Sequence, residues 1–362
     1  MKISLPLFSF IIFIACSFIL SSCSGISTLS TEHSIDNIMS EYNSPNVPGA
    51  CVLVMKNDTV IFKKGYGAAN LEENHAVTTK TNFRLASITK EFTAMCIMVL
   101  SERGQLSYDD RLEKFFPEFV SKGKSITLRQ LLNHTSGLLD YESFVPDSQT
   151  YQVTDNDCLR LLSTTDSLYF TSGTQYQYSN SGYALLALIV EKVSGKRFAD
   201  FVKENIFDPV GMSTSVAYEN GVSVVSNRAY GYSLNNEVWI QTDQSNTSAV
   251  LGDGGIYSNV EDMSRWISSL WHFRIIPESL QRQAWSDARL NDGTSIPYGM
   301  GWHTETYRGV HHPHHAGSTR GFRNHILVFP DRKCMVIILT NRNEGTPITE
   351  VKKIADLFWE TR

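Results

Sequence analysis

The sequence predicts an α/β (α+β) protein in which strands from both ends of the chain form one central antiparallel sheet. Near the N-terminus, apolar runs at 50–55 and 59–62 flank Asn57-Asp58, which is the pattern of a β-hairpin. Near the C-terminus, apolar runs at 325–329 and 335–339 flank a Pro-Asp turn, and a helical pattern follows at 348–359. Strand patterns at the two ends with helices between them favour a sheet flanked by helices, with a mostly helical subdomain beside it.

The middle of the chain carries the helix signals. Residues 92–100 form an almost continuous apolar run, and residues 183–193 are apolar at helical spacing. Each run is followed by a glycine, a residue that often ends a helix. Two capping-box patterns, at Thr127–Gln130 and Ser258–Glu261, mark two more helix starts. We therefore expect a sheet part at about 41–85 and 250–362, and a helical part at about 86–249.

Composition excludes several functional classes. The chain has 362 residues, a net charge of −5 and 42% hydrophobic residues, which is ordinary for a globular protein. No basic block suggests a nucleic-acid partner. Neither a Gly-x-x-x-x-Gly-Lys nor a Gly-x-Gly-x-x-Gly run occurs, so nucleotide-binding loops of those kinds are absent from the sequence. The pattern Gly-x-Ser-x-Gly of an α/β-hydrolase is also absent.

The N-terminus has the layout of an export signal. Lys2 precedes an apolar stretch over 5–20, and Leu-Ser-Ser leads directly to Cys23. This arrangement is similar to a bacterial lipoprotein signal, which implies a signal peptide at 1–22, lipidation of Cys23 and a tether over 23–40. An uncleaved anchor or a plain signal peptide are the alternatives. Each places the rest of the chain outside the cytoplasm, and the lipoprotein interpretation places it on the cell envelope.

The most informative stretch is Ser87-Ile88-Thr89-Lys90 at the start of the apolar helix. Residues three apart on a helix lie one above the other, so the Lys90 ammonium can reach the Ser87 hydroxyl. Burial disfavours a charged lysine, and Lys90 could then share or accept a proton near neutral pH. The same pattern also occurs by chance as a capping serine with a surface lysine, so the assignment needs further motifs.

Two such motifs follow in the expected order. Tyr178-Ser179-Asn180 comes about 90 residues later, and His315-Ala316-Gly317-Ser318 lies near the C-terminus. Together with Ser87 and Lys90 they resemble the three motifs of the serine β-lactamase and penicillin-binding protein family. Tyr-x-Asn points to its class C, DD-peptidase and esterase branch. The resemblance runs from about residue 35 to the C-terminus, and it implies a single β-lactamase/transpeptidase-like catalytic domain over 41–362.

The resemblance also implies roles for individual residues. Ser87 would be the nucleophile, and its backbone N–H would form the oxyanion hole with the N–H of Ser318. Gly317 would let the strand backbone approach the substrate closely. Losing one oxyanion-hole donor typically lowers turnover by a factor of about 10²–10³.

Tyr178 is the predicted general base, provided that the Lys90 cation stabilises its phenolate. Asn180 would donate to the substrate amide or contact Lys90, and a helix cap is its structural alternative. The order in which Lys90 and Tyr178 take the serine proton stays open, because coupled groups titrate together.

His315 departs from the β-lactamase pattern. Lysine stands at this position in β-lactamases of the family and helps to hold the substrate carboxylate, whereas an ordinary histidine is mostly neutral at pH 7. Arg320 or Arg323 could replace that charge, although either is as readily a solvated loop arginine. Carboxylate binding should be weaker, which favours ester, amide or D-amino-acid peptide substrates over β-lactams.

The run His311–His315 raises the question of a metal site. Adjacent histidines on an extended segment point to opposite faces, and no acidic residue lies nearby in the sequence. We therefore predict no metal ligand and no cofactor. Cys51, Cys96, Cys158 and Cys334 fit no zinc spacing, and their disulfide pairing cannot be read from the sequence.

The sequence thus predicts a secreted, membrane-tethered serine hydrolase that acts through an acyl-enzyme on ester or amide substrates. D-alanyl-D-alanine carboxypeptidase or β-lactamase activity is the alternative within the same class. A non-catalytic surface protein that binds peptidoglycan is the alternative from another class.

Overall fold

The computed structural model describes residues 31–119, 121–146 and 148–359. The signal peptide and Cys23 lie outside these residues. Residues 31–38 are helical, and Ile35 and Met39 are buried in the core. The last part of the expected tether therefore packs onto the body of the protein, because its apolar residues are buried there.

A six-stranded antiparallel sheet forms the centre of the molecule. Its strands follow the spatial order β3-β4-β5-β6-β1-β2, so the last strand of the chain pairs with the first and the two termini build one sheet. This confirms the predicted fold class. The strands are β1 (Ala50–Lys56), β2 (Thr59–Tyr66), β3 (His303–Tyr307), β4 (Val310–Thr319), β5 (Phe322–Phe329) and β6 (Cys334–Thr340).

The helices that matter for the site and the core lie mostly in the middle of the chain. They are α1 (Thr89–Glu102), α2 (Leu128–Leu132), α3 (Asp155–Leu162), α4 (Asn180–Ser194), α5 (Val260–Trp271) and α6 (Ile348–Leu357). Short helices occur at Leu112–Phe115, Phe198–Val202, Asp208–Val210, Leu251–Gly254 and Glu278–Ala284. Short strands occur at Ala68–Asn70, His75–Ala76, Phe83–Arg84, Val216–Ala217, Tyr232–Asn235, Val238–Gln241, Ile256–Ser258, Ala288–Arg289 and Ser295–Ile296.

One of the two predicted capping boxes forms as expected. The Thr127 side chain accepts from the Gln130 N–H, and the Gln130 side chain accepts from the Thr127 N–H. The second prediction is wrong by one residue, because Asn259 caps α5 by accepting from the N–H groups of Glu261 and Asp262. Ser258 instead ends a short strand.

The two faces of the sheet pack against different parts of the chain. Alternate residues such as Leu53 and Ile337 belong to the large core shared with the helical part. Their neighbours, such as Val52 and Ile338, belong to a smaller core with Ile35 and helix α6. Because side chains alternate along a strand, each strand contributes to both cores.

Two further findings concern the cell-envelope expectations. Among the described residues, no helix is both long and apolar enough to span a bilayer. Within the same residues Cys51, Cys96, Cys158 and Cys334 are free thiols, and the first three are buried.

Candidate active site

Ser87 lies on a single 3₁₀ turn, Ala86–Ile88, that leads directly into α1. Its neighbours Ala86 and Ile88 are buried, whereas Ser87 itself is partly exposed. Ala86 has a φ of 52°, a conformation that side-chain-bearing residues adopt rarely and that tends to cluster at functional sites. The sharp turn therefore presents the Ser87 hydroxyl at the surface of an otherwise buried segment.

Lys90 lies on the first turn of α1 and is completely buried. Its Nζ donates to Ser87 Oγ at 3.2 Å, to Asn180 Oδ1 at 2.8 Å and to the Asp253 carbonyl at 2.9 Å. Burial lowers the pKa of Lys90 to about 8, although the nearby Asp253 carboxylate opposes the shift. A substantial fraction of Lys90 is therefore neutral at slightly alkaline pH.

These three contacts decide where a neutral Lys90 presents its lone pair. The amide oxygen of Asn180 and the Asp253 carbonyl can only accept hydrogen bonds, so each of them takes one N–H. The third direction faces the Ser87 hydroxyl, which can donate as well as accept. A deprotonated Lys90 therefore points its lone pair at the Ser87 proton, as a general base must.

Asn180 is held in one orientation by partners on both sides. Its amide nitrogen donates to Glu142 Oε1 at 3.1 Å, while its oxygen accepts from Lys90. The cap of α4 is not Asn180 but Ser179, whose hydroxyl accepts from the Gly182 N–H. The side chain of Asn180 is thus free from capping and available for the site.

Tyr178 packs close to the lysine but does not bond to it. The Lys90 Nζ lies 4.9 Å from the centroid of the Tyr178 ring, over its face. The phenol oxygen is buried and has no hydrogen-bond partner among the described residues. Burial raises the pKa of Tyr178, and the nearby Ser87 hydroxyl offsets the rise only in part. The expected stabilisation of the phenolate is therefore not seen, because the cation lies over the ring and not beside the oxygen.

His315 lies on β4 and is buried, with a partner for each ring nitrogen. Nδ1 lies 2.7 Å from the Ala316 carbonyl, which can only accept, so Nδ1 carries the proton. Nε2 then accepts from the Tyr298 hydroxyl at 3.1 Å. Burial holds the pKa of His315 well below its usual value. His315 is consequently a neutral residue, as expected, and supplies no positive charge to a substrate carboxylate.

Gly317 brings β4 against the turn that carries Ser87. A Cβ at this position would lie 2.0 Å from the Leu85 carbonyl oxygen, so only glycine permits the contact. Asn324 on β5 donates to the same carbonyl at 3.2 Å. The glycine is therefore needed for packing against the nucleophile turn, a reason that differs from the expected approach to the substrate.

The two predicted oxyanion residues share one small cavity. Ser87 and the exposed Ser318 both line it, together with Arg84, Asn180 and Asp253. The structure thus brings Ser87, Lys90, Tyr178, Asn180, His315, Gly317 and Ser318 into one region. Of the alternative cations, Arg323 donates to the Thr319 and Phe322 carbonyls and Arg320 is exposed, and neither lines this cavity.

Several charged residues of the site could not be identified from the sequence. Asp140, Glu142 and Asp253 surround Lys90, and their charges favour its protonated form. Burial raises the pKa of each of these carboxyls. Arg84 is buried at the cavity wall, where it donates to the Gly254 carbonyl. Only the glycine-rich stretch at 252–255 gave a signal, since glycines often allow close backbone approach.

A second polar cluster corrects the sequence argument about metal ligands. Antiparallel pairing of β3 with β4 places Glu305 directly opposite His312, although seven positions separate them in the chain. His314 lies on the same face, and ligand atoms of these three residues lie within 4.8 Å of one another. The statement that no acidic residue is near the histidines is therefore wrong in space, because strand pairing supplied one.

Comparisons with known proteins agree with this geometry. A model of the Beta-lactamase family matches residues 35–358. A penicillin-binding protein of Bacillus subtilis is 33% identical over 313 residues, which are 82% of this chain and 68% of that protein. A D-aminopeptidase of Gluconobacter oxydans is 27% identical over 85% of the chain, which spans only 58% of that protein.

Solved structures show the same similarity. An octameric penicillin-binding protein homologue from Pyrococcus abyssi superposes with a TM-score of 0.79 at 27% identity, covering 91% of this chain and 76% of that one. The order of the motifs, the arrangement of Ser87, Lys90 and Asn180, and the match over most of the chain lead to one conclusion. The chain belongs to the β-lactamase and penicillin-binding protein family of serine hydrolases.

Proposed function

We propose that this protein hydrolyses ester or amide substrates through an acyl-enzyme formed on Ser87. The observation that carries the proposal is the set of three contacts made by Lys90 Nζ. Two of them use the N–H groups of the neutral amine, so its lone pair faces the Ser87 hydroxyl and can accept that proton. A buried amine with a pKa of about 8 is well matched to general-base work near neutral pH.

In the first step Ser87 Oγ attacks the substrate carbonyl carbon while its proton moves to Lys90 Nζ. The carbonyl oxygen becomes negative, and the backbone N–H groups of Ser87 and Ser318 stabilise it. Collapse of this intermediate breaks the bond to the leaving group, which takes a proton as it departs. Water then attacks the acyl-enzyme and releases the acid product and free Ser87.

Tyr178 is assigned as a proton carrier in its neutral form. Its raised pKa keeps the phenol protonated at pH 7, so it can donate to the leaving group. In the second half of the reaction the attacking water returns a proton to the phenolate, and the departing Ser87 oxygen regains its proton from Lys90. The ring already packs beside the lysine, and a bound leaving group would give the unpartnered hydroxyl an acceptor.

The charges of the site favour substrates without a carboxylate next to the reacting bond. His315 is neutral, and Asp140 and Glu142 add negative charge near the cavity. We therefore propose simple esters, amides and D-amino-acid amides or peptides with a free amine as the preferred class. Similarity to the Gluconobacter D-aminopeptidase supports this choice. D-alanyl-D-alanine carboxypeptidase and β-lactamase activities remain the alternative, supported by similarity to penicillin-binding proteins.

We also propose that the protein is exported and tethered by a lipid on Cys23, facing outward from a bacterial membrane. This rests on the sequence pattern at residues 5–23 alone. Replacing Cys23 by Ser should move the protein from the membrane pellet to the soluble fraction. Unchanged partitioning would contradict lipidation.

The direct test of hydrolysis is covalent labelling. A fluorophosphonate probe should attach to Ser87 in the wild-type protein and in Ser286→Ala, which alters an exposed serine, but not in Ser87→Ala. p-Nitrophenyl acetate should give a burst of one product per chain followed by steady turnover. Labelling that persists in Ser87→Ala would refute the proposal.

A substrate panel then separates the alternatives. Short acyl esters, D-amino-acid amides, D-Ala-D-Ala peptides and nitrocefin should be compared on one enzyme preparation. The proposal predicts higher kcat/KM for the esters and amides. The absence of turnover with every substrate and of any probe adduct would instead favour a non-catalytic peptidoglycan-binding protein.

A further inference from the structure

Four histidines form a stack at the edge of the sheet, and one of them, His303, also contacts Tyr178 and His315 of the active site. Ring centroids of His314 lie 5.1 Å from His312, 5.2 Å from His303 and 5.5 Å from His325, with nearly parallel planes. They are contributed by three neighbouring strands, β3, β4 and β5. His312 and His314 face the smaller core, as shown by the contact of His312 with Phe329.

The stack contains buried polar atoms without partners. Both ring nitrogens of His312 and both of His314 are inaccessible and make no hydrogen bond of normal geometry to any described residue; their nearest polar neighbour is Glu305. The two side chains are 1% and 7% exposed, so bulk solvent does not reach them. An imidazole always has either an N–H or a lone pair at each nitrogen, and burying these groups without good hydrogen bonds is unfavourable.

A carboxylate completes the group from the edge strand. Glu305 on β3 is paired with His312 on β4, and one of its oxygens lies 3.5 Å from His314 Nε2. One ligand atom from each of the three residues lies within 4.8 Å of the others. Ligands of a tetrahedral zinc ion are separated by about 3.4 Å, so rotations of the side chains could bring them into range.

We propose that Glu305, His312 and His314 bind a divalent transition-metal ion such as Zn²⁺, with water at the fourth position. Two imidazoles and one carboxylate are ligands that zinc prefers. The half-exposed Glu305 gives the ion a path from solvent. The ion would connect the edge strand β3 to β4, and none of its three ligands belongs to the Ser87 site.

One nearby positive charge, that of Lys352, should weaken binding of a cation at this site, and its removal provides a control. The ammonium of Lys352 on α6 lies 5.8 Å from the Tyr307 ring centroid, and its positive charge acts on His312, His314 and His325. Lys352→Met should therefore bind zinc more tightly than the wild-type protein. A site formed elsewhere on the surface would not respond to this change.

The test is zinc binding by the untagged full chain. Calorimetry and metal analysis after dialysis should give one zinc per chain, and cobalt should give the absorption of a tetrahedral site. Glu305→Gln, which alters an exposed residue and should leave folding intact, should weaken binding at least about tenfold, as losses of metal-site groups do. His312→Phe should abolish binding and keep the ring stack.

Two matched variants complete the experiment. His311→Gln changes an exposed histidine on the same strand, and Cys334→Ser removes a partly exposed thiol. Both should bind zinc as the wild-type protein does. Absence of binding by the wild-type chain, or equal binding by wild type and Glu305→Gln, would overturn the proposal.

Discussion

Strand β4 places two adjacent histidines in opposite situations. His315 faces the catalytic side, and both of its nitrogens are hydrogen-bonded, one to Tyr298 and the other to the Ala316 carbonyl. His314 faces the other side, is also buried, and makes no hydrogen bond of normal geometry to a described residue; only Glu305 lies near its Nε2, at 3.5 Å. Two buried histidines one residue apart therefore differ in whether their ring nitrogens are hydrogen-bonded.

The difference separates two uses of buried histidine. The hydrogen bonds of His315 fix its tautomer and orientation, so the apo protein already holds it in its working form. The unpaired nitrogens of His314 leave its free energy unfavourable until a ligand arrives. Completed hydrogen bonds thus hold His315 in one orientation, whereas the poorly paired nitrogens of His314 are those that a bound ion would satisfy.

Loss of the Ser87 nucleophile should have the largest effect on ester turnover, whereas a change on the opposite face of the sheet should have almost none. Ser87→Ala should lower ester turnover by about 10⁶, as removal of other catalytic serines does. Glu305→Gln should leave turnover within about twofold of wild type, because it lies on the other side of the sheet. Initial rates with p-nitrophenyl acetate check both. Comparable losses of turnover in the two variants would show that the two faces of the sheet do not have separate roles.

The pH dependence of kcat/KM should reflect the ionisation of Lys90, the proposed general base. Because the neutral amine is the base, kcat/KM should rise with pH and level off above the Lys90 pKa of about 8. Lys90→Met should lower kcat/KM by several orders of magnitude and remove this step from the profile. A wild-type profile that is flat between pH 6 and pH 9 would contradict the assignment.

Tyr178→Phe should lower kcat by about 10²–10⁴, the usual contribution of a positioned proton-transfer group. Its hydroxyl has no partner to leave unpaired, so the unfolding free energy should hardly change. Poor leaving groups should be affected more than p-nitrophenolate, which departs without a proton. Kinetics with amide and ester pairs measure this difference, and equal losses for both would argue against proton donation.

The two adjacent histidines should respond differently to phenylalanine. His315→Phe should lower the unfolding free energy by about 1–3 kcal/mol, because the buried Tyr298 hydroxyl and Ala316 carbonyl lose their partner. His314→Phe should be neutral or stabilising in metal-free protein, since it replaces unpaired polar atoms by an apolar ring. Urea unfolding with a chelator present compares them. Equal destabilisation would remove the distinction drawn above.

His134 is intermediate between the two, because only one of its ring nitrogens is hydrogen-bonded. Its Nδ1 accepts from the Ser179 N–H at 3.1 Å, while its Nε2 is unpaired, and burial holds its pKa well below 6.5. Below pH 6.5 the unfolded chain binds a proton at His134 that the folded chain does not, so the folded state becomes less stable as the pH decreases. At pH 5 this amounts to about 2 kcal/mol.

His134→Asn tests this with little strain. Asparagine keeps an acceptor for Ser179 and tolerates the φ of 61° at this position. Between pH 7 and pH 5 its unfolding free energy should fall by about 2 kcal/mol less than that of the wild type. Parallel pH profiles would show that His134 takes up its proton in the folded state.

Much of the site could be predicted because it depends on local spacing. Ser87 and Lys90 are three residues apart at the start of a helix, and their hydrogen bond follows from helical geometry. Strands β1, β2, β5 and β6 are apolar enough to be identified by pattern. Strands β3 and β4 were not, because their histidines and threonines hide the alternation of apolar residues.

The sequence by itself determined the fold class, the order of the motifs and the pairing of serine with lysine, since the strand patterns and motifs can each be identified from short stretches of the chain. Only the tertiary structure decided what surrounds them. It brought the Asp253 carbonyl and the Asn180 side chain into hydrogen-bond contact with Lys90. It also placed the Lys90 ammonium over the face of the Tyr178 ring and paired Glu305 with His312. Such contacts depend on strand register and helix packing between distant segments, and a short sequence pattern carries no information about either.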